Sequence, residues 1–142
     1  MITPTAIQRQ ARRTLLIRAK NHAGLLALVP EDNIDPDGRP EWPIVLIEAP
    51  RALPRRMSCA KGADVSFDVH AFARLTDTMT GYDHISAIGE QVETAFAPNV
   101  LTLEDGSQCR LSFSDVRILK DQDPDDWHWF GQLNCRVLKA VA

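Results

Sequence analysis

Apolar and polar residues alternate most regularly between Ala63 and Leu75, and this alternation predicts a β-strand. A second run of one parity from Trp127 to Val137 predicts a long last strand after the acidic turn 121–126. The short apolar run Ile44–Ile47 predicts a buried strand that Pro50 and Pro54 end. In the first of these strands, apolar residues share one face and polar residues share the other: Val65, Phe67, Val69 and Ala71 against Asp64, Ser66, Asp68 and His70.

Helical spacing appears in two parts of the chain. Thr3-Pro4 is a good helix start, and apolar residues then recur every four positions, so a helix is predicted as far as about Lys20. A second short helical turn is predicted in Leu25–Val29, packed beneath the first helix. The other helix carries one apolar stripe and runs until Pro98. Its stripe consists of Ile85, Ile88, Val92 and Phe96.

The last third of the chain contains two turn signals. Asp105-Gly106 predicts a tight hairpin. The apolar pattern shifts phase between Phe113 and Val116, which predicts a β-bulge near Ser114 or Asp115.

These elements predict an α+β fold in one domain, residues 1–142, with a mainly antiparallel sheet. An N-terminal helical hairpin and the longer helix should pack on one face of the sheet. A chain of 142 residues can bury about 68 to 70% of its unfolded surface, which is enough for one core. We expect exposed loops at about 31–43 and 51–62, the second being a loop or hairpin tip.

Charge is distributed unevenly, although the net charge is only −3. The first helix is basic, and the stretch 31–48 holds six acids against Arg39 alone. A second basic patch follows in 51–61, and a second acidic cluster lies at 121–126. Such asymmetry suits a partner of opposite charge. The candidate interface residues are Arg9, Arg12, Arg13, Arg51, Arg55, Arg56 and Lys61.

Composition also bears on location. No apolar run approaches the roughly 18 residues that span a bilayer, and the first ten residues lack the pattern of a secretory signal, so no membrane is expected. Cys59, Cys109 and Cys135 are spaced irregularly and fit a reducing compartment better than a disulfide framework.

Motifs for catalysis or ligand binding are missing from the sequence, so we expect no enzyme activity and no cofactor or metal. The four histidines form none of the close pairs typical of zinc sites. His70 is interpreted as solvent-facing or cross-strand, and His84 as a surface residue. Cys59 lies near basic residues, but no histidine is close in sequence to complete a nucleophile pair.

The basic first helix leaves an alternative open. Its arginines, including Arg18, are able to contact phosphates, so a small non-catalytic binding module for nucleic acid or protein is a second hypothesis. Only 6% of residues are aromatic, and no helix-turn-helix or stacking platform follows the helix, so binding of specific nucleic acid is not expected.

The order of these features resembles the tail-terminator and tail-completion proteins of long-tailed bacteriophages, prophages and gene transfer agents. The similarity extends from about Ala6 to Lys139. It is carried by the segments Leu25–Pro30, Pro43–Ile47, Val65–Arg74 with the helix that follows, and Trp129–Leu133.

This resemblance implies a virion structural protein that caps the tail tube as a hexameric ring and joins it to the head-side connector. The implied partners are other copies of the chain, the tail tube protein and a head-closure or connector protein. The implied location is the head-proximal end of the tail, after a period in the host cytoplasm. A ring needs one surface to meet a different surface of the next subunit. We therefore hypothesise that the basic helix meets the acidic loop of its neighbour.

Overall fold

The fold is a five-stranded antiparallel sheet with its helices against one face. This computed structural model describes residues 3–38, 41–57, 60–97, 99–121, 123 and 125–140, and the side chains of all of these except 49–57, 60–63 and 138–140. Strands follow the order β1-β2-β5-β4-β3. The α+β prediction is confirmed. In chain order the elements are α1 (Pro4–Lys20), α2 (Ala23–Leu26), a 3-10 turn (Glu31–Asn33), β1 (Ile44–Met57), β2 (Ala60–Arg74), α3 (Gly81–Ala95), β3 (Val100–Thr102), β4 (Gln108–Lys120) and β5 (Asp126–Ala140).

Both long helices begin where a hydroxyl group caps the first turn. The Thr3 hydroxyl accepts a hydrogen bond from the Ala6 N–H at 3.1 Å, and the Thr80 hydroxyl accepts one from the Asp83 N–H at 3.1 Å. Each cap satisfies a backbone donor that the helix itself leaves unpaired. The predicted helices at the start of the chain and after residue 80 are confirmed, and the predicted short helical turn is present as α2, which begins two residues earlier than predicted.

Strand β1 is much longer than predicted, and of the two alternatives for 51–62, an exposed loop or a hairpin tip, the structure shows the hairpin. Arg51–Met57 continues β1, and Ala60 onward belongs to β2, so this region is the end of a long hairpin. Strand β1 tolerates Pro50 and Pro54 because neither residue has to donate a backbone hydrogen bond to β2. Pro50 falls in a bulge between Glu48 and Arg51. After that bulge the N position of residue 54 faces away from β2, toward the edge of the sheet.

The predicted bulge in β4 is confirmed. The register between β4 and β5 shifts between Phe113 and Asp115, so two residues of β4 lie opposite one residue of β5. The hairpin before it is also confirmed, because the Leu103 N–H donates to the Ser107 carbonyl at 2.8 Å. Gly106 takes the turn position with φ of 85°, where glycine is favoured.

One core joins the sheet to the helices. Phe67 on β2 and Ile85 and Ile88 on α3 are all 0% exposed, which confirms the predicted contact between the apolar strand face and the helix stripe. α1 contributes four buried residues spaced every four positions: Ile7, Ala11, Leu15 and Ala19. Trp129 of β5 is the largest fully buried side chain.

Trp129 requires glycine on two sides. A Cβ added at Gly89 of α3 would lie 2.4 Å from the indole Cδ1 and Nε1, and one added at Gly131 would lie 2.5 Å from Cη2. Real Cβ contacts are not this short, so both positions admit the indole only because they lack a side chain.

Replacing Phe67 by alanine should lower the free energy of unfolding by about 3 to 5 kcal/mol, because it removes a fully buried ring and leaves a cavity. Denaturant unfolding of both proteins measures this. Phe72→Ala is the matched control, since Phe72 lies on the same strand but on the partly exposed face, and its loss should be smaller. An equal loss for the two variants would contradict the core assignment.

Gly89→Ala should destabilise the fold, although alanine in a helix interior usually stabilises it by about 0.5 to 1 kcal/mol. Overpacking against Trp129 costs about 1 to 3 kcal/mol, which outweighs that gain. Thermal unfolding compared with Glu90→Ala, an exposed neighbour on the same helix, checks the sign. A raised melting temperature for Gly89→Ala would show that the indole has room to move.

Candidate assembly surfaces

The basic residues of α1 contact the edges of the sheet. The Arg12 Nε donates to the Ile47 carbonyl of β1 at 3.2 Å, and the Arg12 guanidinium also pairs with the Asp35 carboxylate. From the same helix, Arg18 donates to the Val100 carbonyl of β3 at 3.2 Å. The helix therefore lies between the two edge strands of a curled sheet.

These contacts change the interpretation of the predicted basic interface. The ion pair between Arg12 and Asp35 joins the basic helix to the acidic loop of the same chain. The hypothesis from the sequence places this contact between two subunits. Arg13 also pairs inside the chain, with Glu104 at 2.8 Å. Arg9 is exposed. Of the predicted helix residues, Arg9 is thus the one whose charge is presented most openly.

The second group of predicted interface residues belongs to the β1–β2 hairpin. The backbones of Arg51, Arg55 and Arg56 lie in β1 and that of Lys61 in β2, near the hairpin end. Their side chains lie outside the described residues, as does Cys59. The role of these four side chains therefore stays a prediction.

The outer face of the sheet, opposite the helices, carries aromatic rings in close contact. Phe72 stacks on His128 with ring centroids 4.4 Å apart, and His70 lies 5.3 Å from Phe130. Trp42 lies 5.3 Å from Phe72. All five side chains are only partly buried. We call this cluster the aromatic patch: Trp42, His70, Phe72, His128 and Phe130.

Sequence reasoning missed the aromatic patch. Its members come from a loop and two strands that are separated by more than 50 positions, and each strand contributes only two of them. The available signal was Phe72, a large apolar residue on the face that His70 and Asp68 mark as polar. The interpretation of His70 as a cross-strand residue is confirmed.

Toward the hairpin end the same face becomes polar. Asp64, Arg136 and Arg110 are neighbours across three strands, and Ser66 donates to the Asn134 side chain at 3.2 Å. They line an open groove of about 580 Å³. The outer face is therefore apolar at one end and charged at the other.

Two histidines of the aromatic patch and one carboxylate beside it lie close together. The His70 Nδ1 and the His128 Nε2 are 2.8 Å apart, so one ring must donate and the other accept. The Glu48 carboxylate lies 3.7 Å from the His70 Nε2. Burial lowers the pKa of His128, and the neighbouring His70 lowers it further, while Asp121 acts in the opposite direction.

Of the remaining predictions, the one for His84 is wrong and the one for Cys109 and Cys135 is correct. The surface role for His84 is wrong: this side chain is 7% exposed, and its Nδ1 lies 2.7 Å from the Arg74 carbonyl, which fixes the start of α3 against the end of β2. Cys109 and Cys135 are buried small residues on strands, as predicted. The hydrogen bond that the Cys135 thiol makes with Cys109 and its burial both raise the pKa of Cys135, so its thiol stays protonated.

The described part of the chain offers neither a metal-binding cluster nor a membrane-spanning helix. Among these residues no cluster of three or more histidine, cysteine or acidic side chains is arranged to hold a metal ion. None of the described helices is long and apolar enough to cross a membrane.

The lowered pKa of His128 predicts that the fold loses stability as the pH falls below about 6.5, the ordinary value. The unfolded chain takes up this proton at a higher pH than the folded chain does, so acid favours unfolding. Denaturant midpoints between pH 8 and pH 5 measure the effect. His128→Gln keeps a polar group but removes the titration, so its stability should depend less on pH. An identical pH dependence in both proteins would assign the effect to other groups.

Comparisons with known proteins agree with this architecture. A chain from a structure described as the virion of a native gene transfer agent particle is similar in fold, with a TM-score of 0.74 at 15% sequence identity. The alignment covers 94% of this chain and 98% of that one. No curated protein matches the sequence.

The sequence itself matches a family model. The model describes tail completion protein gp17 and matches residues 13–138. The match begins within α1 and covers the second half of that helix, all of α3 and the sheet as far as residue 138 of β5. This chain therefore belongs to the gp17 family of tail completion proteins.

Proposed function

We propose that this protein is a tail terminator, which forms a ring of six copies on the end of the tail tube and joins the tail to the head-side connector. The observation that carries the proposal is the family match across most of the chain. The fold likeness to a gene transfer agent chain supports it. As a member of a tail completion family, the protein has a structural role in the virion tail.

A ring of identical subunits needs two different complementary surfaces on each subunit. The aromatic patch is suited to be one of them, because its rings are partly exposed on the face opposite the helices. The outer side of α1 offers a second surface, on which Arg9 is exposed and Ile17 is 56% exposed. These surfaces lie on opposite sides of the sheet, so contacts between them run head to tail.

The hairpin end is proposed as the contact with a neighbouring ring. β5 pairs with β2 as far as Ala60, so this end of the hairpin is supported by a third strand. A supported hairpin has a backbone that is already ordered, so binding costs it little conformational entropy. The basic residues Arg51, Arg55, Arg56 and Lys61 would then meet acidic groups of the tube or connector.

The alternative of a nucleic-acid binding module is less well supported. Arg12 and Arg13 pair with carboxylates of the same chain, and Arg18 donates to a backbone carbonyl. These contacts engage the charges that would otherwise bind phosphate.

A non-catalytic role in assembly also fits the buried, protonated thiol of Cys135.

Reversing the charge of both Arg55 and Arg56 to glutamate should leave the melting temperature nearly unchanged, because exposed charges contribute about 0 to 1 kcal/mol each. Joining of tails to heads should fail instead. A complementation assay in cells that lack the gene, scored by electron microscopy, measures complete particles against free heads and free tails. The matched control replaces both residues by lysine, which keeps the charge and should restore joining.

Normal particles with the double glutamate variant would remove the hairpin from the interface. If the wild-type gene itself were dispensable for complete particles, the proposed function would fail. Light scattering of purified protein bound to tubes should give six copies per tube end.

A further inference from the structure

The edges of a β-sheet carry unpaired backbone groups, and β1 protects its own edge. The Asp35 N–H donates to the Val45 carbonyl at 2.6 Å, and Arg12 donates to the Ile47 carbonyl at 3.2 Å. Farther along β1, Pro50 lies in the bulge. The backbone nitrogen of Pro54, which has no hydrogen to donate, faces the outer edge of the sheet. An incoming strand therefore finds few partners along β1.

Strand β3 protects the opposite edge, but only over a short distance. Its Val100 carbonyl accepts the hydrogen bond from Arg18. β3 pairs only with Gln108–Arg110 of β4, and the Leu111 N–H then donates to the Asn99 carbonyl at 2.8 Å. Beyond the bulge, β4 itself forms the edge of the sheet.

This last part of β4 has an open edge. The Leu111 N–H points away from β5, and the bulge shifts that direction by one residue, so the backbone groups of Val116, Ile118 and Lys120 point outward. None of the described segments forms a backbone hydrogen bond with these three residues. Val116 is 43% exposed and Leu119 is 44% exposed, so the edge is also apolar.

We propose that two copies of this protein pair along this edge, β4 against β4, as antiparallel strands related by a two-fold axis. Edge pairing needs an open edge on both partners, and among the described strand edges this segment of β4 lacks any of the protection found on β1 and β3. The segment is also self-complementary. With the axis at Ile118, Val116 pairs with the partner's Lys120, so all three outward residues of both copies form hydrogen bonds.

Charges at the ends of this contact allow the pairing. Arg117, which pairs with Asp115 at 2.7 Å in its own chain, lies diagonally opposite the partner's Asp121. It is therefore placed between two carboxylates that would otherwise repel each other. A two-fold contact joins two copies only, so it is separate from the head-to-tail contacts of a ring. It covers an edge that is otherwise prone to unspecific association.

The experiment compares the full-length protein with Val116→Pro and Val116→Thr by light scattering over a concentration series. Proline removes the outward N–H but no hydrogen bond to β5, whereas threonine keeps the N–H and the branched shape. The wild-type and threonine proteins should give twice the mass of the proline variant at high concentration. The melting temperature of the proline variant in dilute solution should stay near that of the wild type.

A second measurement holds even if the proline variant folds poorly. Amide hydrogen exchange at Val116 and Ile118 of the wild type should slow as concentration rises, while exchange at Leu111 stays constant because Asn99 already pairs with it. A wild-type protein that remains monomeric, or a proline variant with unchanged mass, would overturn the proposal. These measurements use the free protein, so they are independent of the complementation result that tests the tail role.

Discussion

The constraint on which this structure depends is that the backbone groups at the edges of a curled sheet must find partners. α1 meets it by lying between the edges, where Arg12 reaches the Ile47 carbonyl and Arg18 reaches the Val100 carbonyl. The same helix buries its apolar stripe against the inside of the sheet. One helix therefore adds its apolar stripe to the core and also reaches both edge strands of the sheet through two of its arginines.

Because the helices occupy one face, the two faces of the sheet have different roles. Trp129 anchors the inner face, and the missing side chains at Gly89 of α3 and Gly131 of β5 leave room for its indole ring. The outer face has no such cover and carries the aromatic patch at one end and the Arg110–Arg136 pair at the other. A subunit with two unlike faces is suited to directional contacts, whereas a symmetric one would pair with itself.

The sequence predicts elements whose signals are local. β2 alternates regularly, α3 has one apolar stripe, and the phase shift after Phe113 locates the bulge within a residue or two. Prediction from the sequence fails where a structure depends on contacts between distant parts of the chain. Pro54 predicts the end of a strand when read in isolation, but its backbone nitrogen faces the free edge of the sheet, so the strand continues. Arg12 and Asp35 are 23 positions apart, and only the curled sheet shows that they meet within one chain.

The two kinds of contact open to this subunit make different demands on its edges. A ring uses surfaces that differ, so it closes at a fixed number of copies. Edge pairing has no such limit if both edges of a sheet are open, because each added strand offers a new edge. Here the protection of β1 by Arg12, Asp35 and Pro54 removes one edge from that process. Because the end of β4 is the open edge among the described strands, the proposed pairing between strands stops at two copies and does not extend the sheet in competition with the proposed ring.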